Sequence, residues 1–118
     1  MAQHNVTGEA GEHYAVKYLK AKGYTILFRN WRFGHYEVDI IAQEQNKVHF
    51  IEVKTRTNLT YGYPEEAVTR KKLKHLMNSA NHFLYSFPSW DKIQFDILSV
   101  FITFNRDVEF TFIEDVYL

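Results

Sequence analysis

The sequence predicts a single α/β domain over residues 1–118, built in the order helix, three strands, helix, two strands. Two segments repeat apolar residues at helical spacing, whereas five are short runs of aromatic and branched residues separated by turn signals. Hydrophobic residues make up 46% and aromatic residues 17% of the 118 residues. This is enough apolar material for one core and leaves little room for a second.

The first helix is expected to run from Thr7 or Gly8 to about Lys22, because Gly23 supplies a left-handed stop just beyond it. The second helix is expected from a cap at Thr69 to a point shortly before the proline at position 88. Its apolar positions repeat at helical spacing. They are Leu73, Leu76, Met77, Ala80, Phe83 and Leu84.

The expected strands are residues 24–33, 36–42, 47–56, 92–104 and 108–116. The third strand is apolar on both faces apart from His49, Glu52 and Lys54, which is typical of a strand in the middle of a sheet. Residues 57–64 have no periodic pattern and contain Gly and Pro, so they are expected to form a mobile loop.

Charge and composition restrict the cellular setting and the partners. Lysine plus arginine number 14, as do aspartate plus glutamate, so any attraction to nucleic acid must come from a local basic surface. The absence of cysteine excludes disulfides and thiolate zinc sites, and the six histidines show no metal-ligand spacing. The polar start and the lack of a long apolar run predict a cytoplasmic protein with no membrane role.

Two neighbouring strands carry charged residues at positions where their side chains would meet. Glu52 and Lys54 project to the same face of their strand, because side chains alternate along an extended chain. Asp39 lies in the preceding strand, and pairing of the two strands as a hairpin brings the three groups together. Charged groups within an otherwise buried strand are unfavourable unless they are paired or bind a metal. The pattern therefore favours a functional site.

These residues have the chemistry of phosphodiester hydrolysis assisted by Mg²⁺ or Mn²⁺. The reaction needs an activated water and neutralisation of the phosphate charge, and a hard cation bound by carboxylates supplies both. Asp39 and Glu52 are the expected ligands, with the Val53 carbonyl as a further one. Lys54 is expected to orient the attacking water or to stabilise the reacting phosphate. Glu12, on the inward stripe of the first helix, is expected to complete the metal shell or to hold a metal-bound water.

Structural explanations stay open for the acidic residues. An ion pair with Lys54 alone would also satisfy a buried Asp39. Glu37 shares a face with Asp39 and is either a further ligand or a charge at the solvent end of the strand. Glu12 lies in the first turns of a helix, where a glutamate is favoured electrostatically without any catalytic purpose.

A basic set of residues is suited to holding the phosphates of a polynucleotide. Its members are Arg56, Arg70, Lys71, Lys72 and Lys74. A solvated helix face is the alternative, although cations at a helix start oppose the helix dipole and so indicate another use. Trp31, Tyr61 and Tyr63 are either base-stacking residues or packing residues.

Several motifs, in order along nearly the whole chain, resemble those of a known family. They are Gly11-Glu12, Gly23-Tyr24, Asn30-Trp31-Arg32, Glu37-Val38-Asp39-Ile40-Ile41, Phe50-Ile51-Glu52-Val53-Lys54-Thr55-Arg56, Gly62-Tyr63-Pro64-Glu65-Glu66-Ala67-Val68, Lys72 and Phe95-Asp96. On these residues the chain is similar to the small bacterial YraN family.

That resemblance implies a fold and an activity. The YraN family is similar to the archaeal Holliday junction resolvases of the restriction-endonuclease-like, PD-(D/E)xK, superfamily, which implies a mixed β-sheet flanked by helices. By resemblance, Asp39, Glu52 and Lys54 take the places of the signature acids and lysine. Glu12 matches the additional helix acid of the resolvases, and Lys72 matches a recurrent helix lysine, which implies that it contacts phosphate or supports the site. A homodimer is implied by analogy, because resolvases must cut two strands.

Two positions depart from the pattern that the resemblance implies. Tyr36 stands where a glycine is frequent before the Glu-x-Asp motif, so the approach of the substrate to the backbone is expected to differ there. Gln94 stands where an arginine is frequent, which is expected to remove one phosphate contact.

The sequence therefore predicts a magnesium-dependent endonuclease that cleaves DNA at branched or distorted structures. The main alternative is a nucleic-acid-binding module that keeps the fold without cutting and serves as an accessory in DNA processing or uptake. A third is a structural or partner-binding domain in which Asp39, Glu52 and Lys54 form a buried ion network.

Overall fold

A five-stranded mixed sheet with two helices forms the fold, which confirms the predicted α/β class and element order. The computed structural model describes residues 2–57, 70–103 and 105–116, with side chains from residue 8 onward. Its elements are α1 Ala2–Ala21, β1 Thr25–Phe33, β2 Tyr36–Glu44, β3 Lys47–Thr57, α2 Arg70–Ser86, β4 Ile93–Ile102 and β5 Val108–Ile113.

The strands lie in the sheet in the order in which they occur in the chain, β1-β2-β3-β4-β5. Neighbouring strands are antiparallel except β3 and β4, which are parallel. A parallel pair needs a crossover connection, and α2 lies in the segment that joins β3 to β4. The apolar character of β3 on both faces therefore marks the middle strand, as predicted.

Each face of the sheet packs against one helix. On one face Ala15 and Leu19 of α1 are buried against Ile40, Ile51 and Leu98 of the sheet. On the other face α2 packs its buried side chains against a second apolar cluster of β2 and β3. This cluster consists of Leu76, Ala80, Phe83, Val38, Ile41, Val48 and Phe50. The central strands are thus covered on both sides, which keeps water from their backbone and side chains.

The predicted end of the first helix is confirmed, whereas its predicted start is wrong. Gly23 has a φ of 95°, and the Tyr24 N–H donates to the Leu19 carbonyl at 3.0 Å, which is a glycine-terminated helix end. The helix begins at Ala2 rather than at Thr7 or Gly8. No proline precedes residue 7, and each added residue extends a helix at little cost once it is nucleated.

Other differences from the prediction concern element ends and one helix position. Strand β2 continues to Glu44, because a two-residue turn lets it stay paired with Lys47. Strands β4 and β5 end earlier than predicted. Met77 was expected on the apolar stripe of α2 but is 49% exposed. The predicted Thr69 cap and residues 58–64 of the loop, with both of its candidate stacking tyrosines, lie outside the described residues.

The described residues include no helix that is long and apolar enough to span a membrane.

A buried polar network joins the beginnings of β3 and β4. Asp96 accepts hydrogen bonds from His49 Nδ1 at 2.7 Å, from Gln94 Nε2 at 2.8 Å and from the Asp115 backbone N–H at 2.8 Å. Gln94 in turn accepts a bond from Lys47 Nζ at 2.9 Å. The presence of Gln94 in place of an arginine was expected to remove a phosphate contact. In the structure, the Gln94 side chain forms hydrogen bonds within this network. Both carboxylate oxygens of Asp96 have partners, so the charge is well compensated inside the protein.

Replacing Asp96 with alanine is expected to destabilise the fold strongly. The change leaves two buried donors and one partly buried donor without their acceptor, which should lower the free energy of unfolding by about 3–5 kcal/mol. Urea unfolding followed by circular dichroism measures this loss. Asp91→Ala is the matched control, because Asp91 is exposed and should change stability by no more than about 0.5 kcal/mol. Equal stabilities of the two variants would contradict the proposed importance of the network.

Candidate active site

Asp39 is fixed to the central strand through its side chain. Strands β2 and β3 pair as the predicted hairpin, with a register in which Ile40 faces Ile51. Beyond that pair the Asp39 carboxylate, rather than a backbone carbonyl, receives the Val53 N–H, with Oδ2 2.9 Å from the nitrogen. This bond orients the carboxylate at the point where the two strands diverge.

Glu52 projects from β3 between two lysines. Its Oε1 lies 3.2 Å from Lys54 Nζ and also forms an ion pair with Lys72 Nζ of α2. Its Oε2 is buried and has no hydrogen-bond partner among the described residues. Lys72, which was expected to contact phosphate or to support the site, is thus directed at Glu52. The carboxylate is neutralised on one oxygen and keeps an unused acceptor on the other.

Two cavities meet at Asp39. The first, of about 240 Å³, lies between β2 and α2 and is lined by Asp39, Glu52 and Lys72, among others. The second, of about 320 Å³, lies beside α1 and is lined by Asp39, Glu12 and Lys54, among others. Asp39 therefore shares the first cavity with Glu52 and the second cavity with Glu12.

Burial dominates the electrostatics of these acids. Burial is the largest cause of the raised pKa of Asp39, and the nearby charge of Glu37 raises this pKa further. The hydrogen bond from the Val53 N–H and the ammonium groups of Lys72 and Lys54 lower it. Burial likewise raises the pKa of Glu12, with Asp39 as the next cause. The site thus gathers negative charge that a bound cation would stabilise.

The lysines of the site are perturbed in the opposite sense. Burial lowers the pKa of Lys54, Arg56 lowers it further, and Asp39 raises it. The pKa of Lys72 is lowered by burial and raised by Asp39. Partly desolvated ammonium groups interact strongly with a phosphate, because less water screens them.

Asn30 holds Glu12 and was not singled out as a site residue from the sequence. It lies within β1 but has a φ of 53°, which asparagine tolerates better than most residues. Its side chain interacts with the Glu12 carboxylate, which opposes the rise in the pKa of that group caused by burial. Strained backbone of this kind is often found at functional sites. The available signal was an asparagine, which is unfavourable in strands, inside a strand rich in aromatic and branched residues.

Gly11 sets the distance between α1 and β3. A methyl group at this position would collide with the Thr55 side chain, so the helix backbone lies directly against the strand. The next residue along α1 is Glu12, which therefore reaches the cavity that contains Asp39 and Lys54. The close approach of helix and strand thus places the helix acid at the site.

The basic residues divide into two groups. Arg56 lines the same cavity as Glu12 and Lys54. Arg70, Lys71 and Lys74 are exposed at the beginning of α2, on the outer side of the helix that supplies Lys72. The exposed cations thus flank the Glu52 side of the site, where they are accessible to a large anionic ligand.

The carboxylate oxygens of the site are suitable ligands for a hard divalent cation that needs only one or two protein carboxylates. The described residues contain no group of three or more His, Cys, Asp and Glu side chains placed to hold a metal. Magnesium, however, is commonly held by one or two carboxylates together with water and substrate phosphates. Asp39 and the unpaired Oε2 of Glu52 provide such a pair.

The fold and this arrangement define an α/β protein with an acid and lysine cluster at its central strands. The family described as "Uncharacterised protein family UPF0102" matches residues 11–100. A UPF0102 protein of Bacteroides thetaiotaomicron is 45% identical over 100 residues, which cover 85% of this chain and 83% of the relative. A UPF0102 protein of Chloroherpeton thalassium is 42% identical over an alignment of 118 positions, which covers 93% of this chain and 92% of the relative. The chain therefore belongs to the UPF0102 family, which confirms the predicted YraN-like membership.

The Gly11→Ala change should separate close packing from helix propensity. The added methyl group forces α1 away from Thr55, and such overpacking lowers stability by about 1–3 kcal/mol. The control is Gly8→Ala in the same helix, where a methyl group meets nothing within 4 Å. That change should stabilise the protein by up to about 1 kcal/mol, because alanine favours the helix. Thermal unfolding of both variants measures the difference, and a shift of the same sign in both would refute the packing role.

Proposed function

We propose that this protein is a metal-dependent endonuclease that cleaves DNA phosphodiester bonds, with branched DNA as its substrate in the manner of the Holliday junction resolvases. The observation that carries the proposal is the position of Asp39. Its carboxylate is anchored to β3 by the Val53 N–H, and it shares a cavity with Glu52 and Lys72 and another with Glu12 and Lys54.

Each residue of the site has a role that follows from its contacts. Asp39 and Glu52 would hold a Mg²⁺ or Mn²⁺ ion, which would supply Lewis-acid activation of water and of the phosphate. Glu12, kept in place by Asn30, holds water on the α1 side of Asp39. Lys54 stabilises the negative charge that develops on the phosphate oxygens. Lys72 orients Glu52 through their ion pair.

The exposed cations supply the affinity for DNA. The protein has no net charge, so attraction must come from a local surface. Arg70, Lys71 and Lys74 provide this surface on α2, and Arg56 extends it on β3. These residues contact phosphates on either side of the cleaved bond, which makes binding dependent on salt concentration. By analogy with resolvases, two copies of the chain act together on the two strands of a junction.

A non-cleaving nucleic-acid-binding protein is the second candidate, as an accessory in DNA processing or uptake. The specific observation in its favour is that Glu52 is already neutralised by Lys54 and Lys72 without any ion. In this role the cluster stabilises the centre of the fold, and the exposed cations of α2 alone carry the interaction with DNA. Cleavage and metal binding separate the two candidates.

Lys54→Ala is expected to abolish cleavage while preserving binding. Loss of one donor to the reacting phosphate should lower the cleavage rate by about 10²–10³-fold. The assay uses linear duplex, single-stranded and four-way-junction DNA with Mg²⁺ or Mn²⁺, and fluorescence anisotropy in a chelator measures binding. Lys17→Ala, an exposed position on α1, is the control and should cut as the unchanged protein does. Cleavage by Lys54→Ala at the full rate would refute the role, and binding without cleavage of any DNA would favour the second candidate.

Mg²⁺ or Mn²⁺ should raise the melting temperature, and Asp39→Asn should remove this effect. An ion that binds only the folded protein at ten times its Kd adds about 1.4 kcal/mol of stability. For a domain of this size that is a shift of several degrees, at roughly 4 °C per kcal/mol. The asparagine still accepts the Val53 N–H, so the fold is retained.

Glu109→Gln, at an exposed position on β5, is the matched control for the loss of one acidic group and should keep the metal-dependent shift. A shift that persists in Asp39→Asn would place the ion elsewhere. The absence of any shift in the unchanged protein would favour the ion network.

A further inference from the structure

We propose that the cavity between β2 and α2 binds one unpaired nucleobase, so that the preferred substrate carries an unstacked nucleotide next to the cleaved phosphate. The location of that phosphate rests on the proposed function, whereas the base site itself is argued from the walls of the cavity. The cavity measures about 240 Å³ and opens beside Asp39 and Glu52. Its volume suits a single heterocycle better than a larger ligand.

The lining of the cavity includes the rings of His35, Tyr36 and His75 together with aliphatic side chains. The rings of Tyr36 and His75 lie 4.6 Å apart at an interplanar angle of 45°. Val38, Ile51 and Leu76 complete the apolar lining. Flat rings beside aliphatic side chains are the surroundings in which proteins stack unpaired bases, since every base has a π-face. The cavity thus combines ring surfaces for stacking with aliphatic side chains beside them.

The stacking surface is held in place from behind. Asn78 Nδ2 donates a hydrogen bond to the Tyr36 hydroxyl at 3.3 Å, which fixes the ring. Phe33 lies 6.0 Å from Tyr36 and stacks on His82 at 3.9 Å. All these rings are only partly buried. A row of half-exposed rings, already ordered by its own contacts, binds a base with little further loss of side-chain freedom.

The charges around the cavity favour a base over a phosphate as its occupant. Besides Asp39 and Glu52, which are assigned to the ion, the carboxylate of Glu37 lines it, and among the described lining residues Lys72 is the one lysine or arginine. Carboxylates repel a phosphate but accept hydrogen bonds from the amino groups of bases. The exposed Lys71 lies one helical turn before His75, where a backbone phosphate of the same nucleotide can be held.

The position of the cavity restricts the kind of substrate. A base inside a continuous duplex is stacked and paired, so it reaches a pocket only after it has been extruded. A nucleotide that is already unpaired, in a bulge, a frayed end or the opened centre of a junction, avoids that cost. The cavity therefore selects for unpaired nucleotides beside the site, a preference that a basic patch alone does not give.

The test compares two DNA duplexes that differ by one base. Both carry a single-nucleotide bulge, which is a thymidine in one duplex and an abasic residue in the other, so that the phosphates are the same. Binding is measured by fluorescence anisotropy in a chelator, without cleavage. Stacking of one base should make the unchanged protein bind the thymidine bulge about tenfold more tightly than the abasic bulge. Equal affinity for the two duplexes, or no binding to either, would overturn the proposal.

Substitutions of residues that line the cavity then test whether the binding ratio arises there. Tyr36→Ala and His75→Ala should each reduce the tenfold ratio towards one, whereas Tyr36→Phe, which keeps the ring, should retain it. Tyr85→Ala on the same helix is the control, because that side chain is 85% exposed and does not line the cavity. A ratio that persists in both alanine variants places the base elsewhere and overturns the proposal. Thermal unfolding verifies that each variant is folded, and the comparison on the unchanged protein needs no variant.

Cleavage of the same two duplexes with Mg²⁺ separates this proposal from the proposed nuclease function. Cleavage of both at equal rates, together with equal binding, would overturn the base site and leave the nuclease standing. A tenfold binding ratio with no cleavage of any DNA would support the base site and overturn the nuclease function.

Discussion

The burial of Glu52 in the central strand is the constraint on which the rest of this site depends. Strand β3 is covered by a helix on each face, so a carboxylate in its middle loses most of its contact with water. The fold compensates with Lys54 from the same strand and Lys72 from the helix that joins β3 to β4. The position of α2 is thereby tied both to the apolar core and to the charge that it neutralises.

Two polar clusters on the central strands of the sheet differ in how completely their carboxylates are satisfied. At the beginning of β3 and β4, both oxygens of Asp96 accept hydrogen bonds from neighbouring donors. Further along β3, Glu52 leaves its Oε2 without a partner among the described residues. The first cluster is not complete either, because His49 Nε2 is also buried and has no hydrogen-bond partner among the described residues. The difference between the clusters therefore lies in their carboxylates: that of Asp96 has a partner on each oxygen, whereas that of Glu52 keeps one oxygen free, which is the type of ligand that a hard cation takes.

The proposed site is shaped by departures from regular structure. Asn30 interrupts the extended conformation of β1, and its side chain is then available to Glu12. Gly11 removes the side chain that would otherwise hold α1 away from β3. The Asp39 side chain takes over a backbone donor where the hairpin diverges. Two of these features act on Glu12 and the third orients Asp39; of the three, Asn30 has the strained backbone that is often found at functional sites.

The sequence by itself determined the features that depend on local periodicity. The order of the elements, the central place of β3 and the end of α1 at Gly23 follow from side-chain alternation, helical spacing and the conformational freedom of glycine. The same alternation put Glu52 and Lys54 on one face of the strand, where they form an ion pair.

Only the tertiary structure decided the contacts between residues far apart in the chain. Three such contacts depend on how helices and strands pack. They are the ion pair of Lys72 with Glu52, the interaction of Asn30 with Glu12 and the hydrogen bond of His49 with Asp96. Such contacts leave no periodic trace in the sequence, because the pattern marks a residue as unusual without showing which distant residue it meets. The exposure of Met77, which helical spacing assigned to the core, has the same cause: the neighbouring sheet, and not the pattern, decides which side of a helix is covered.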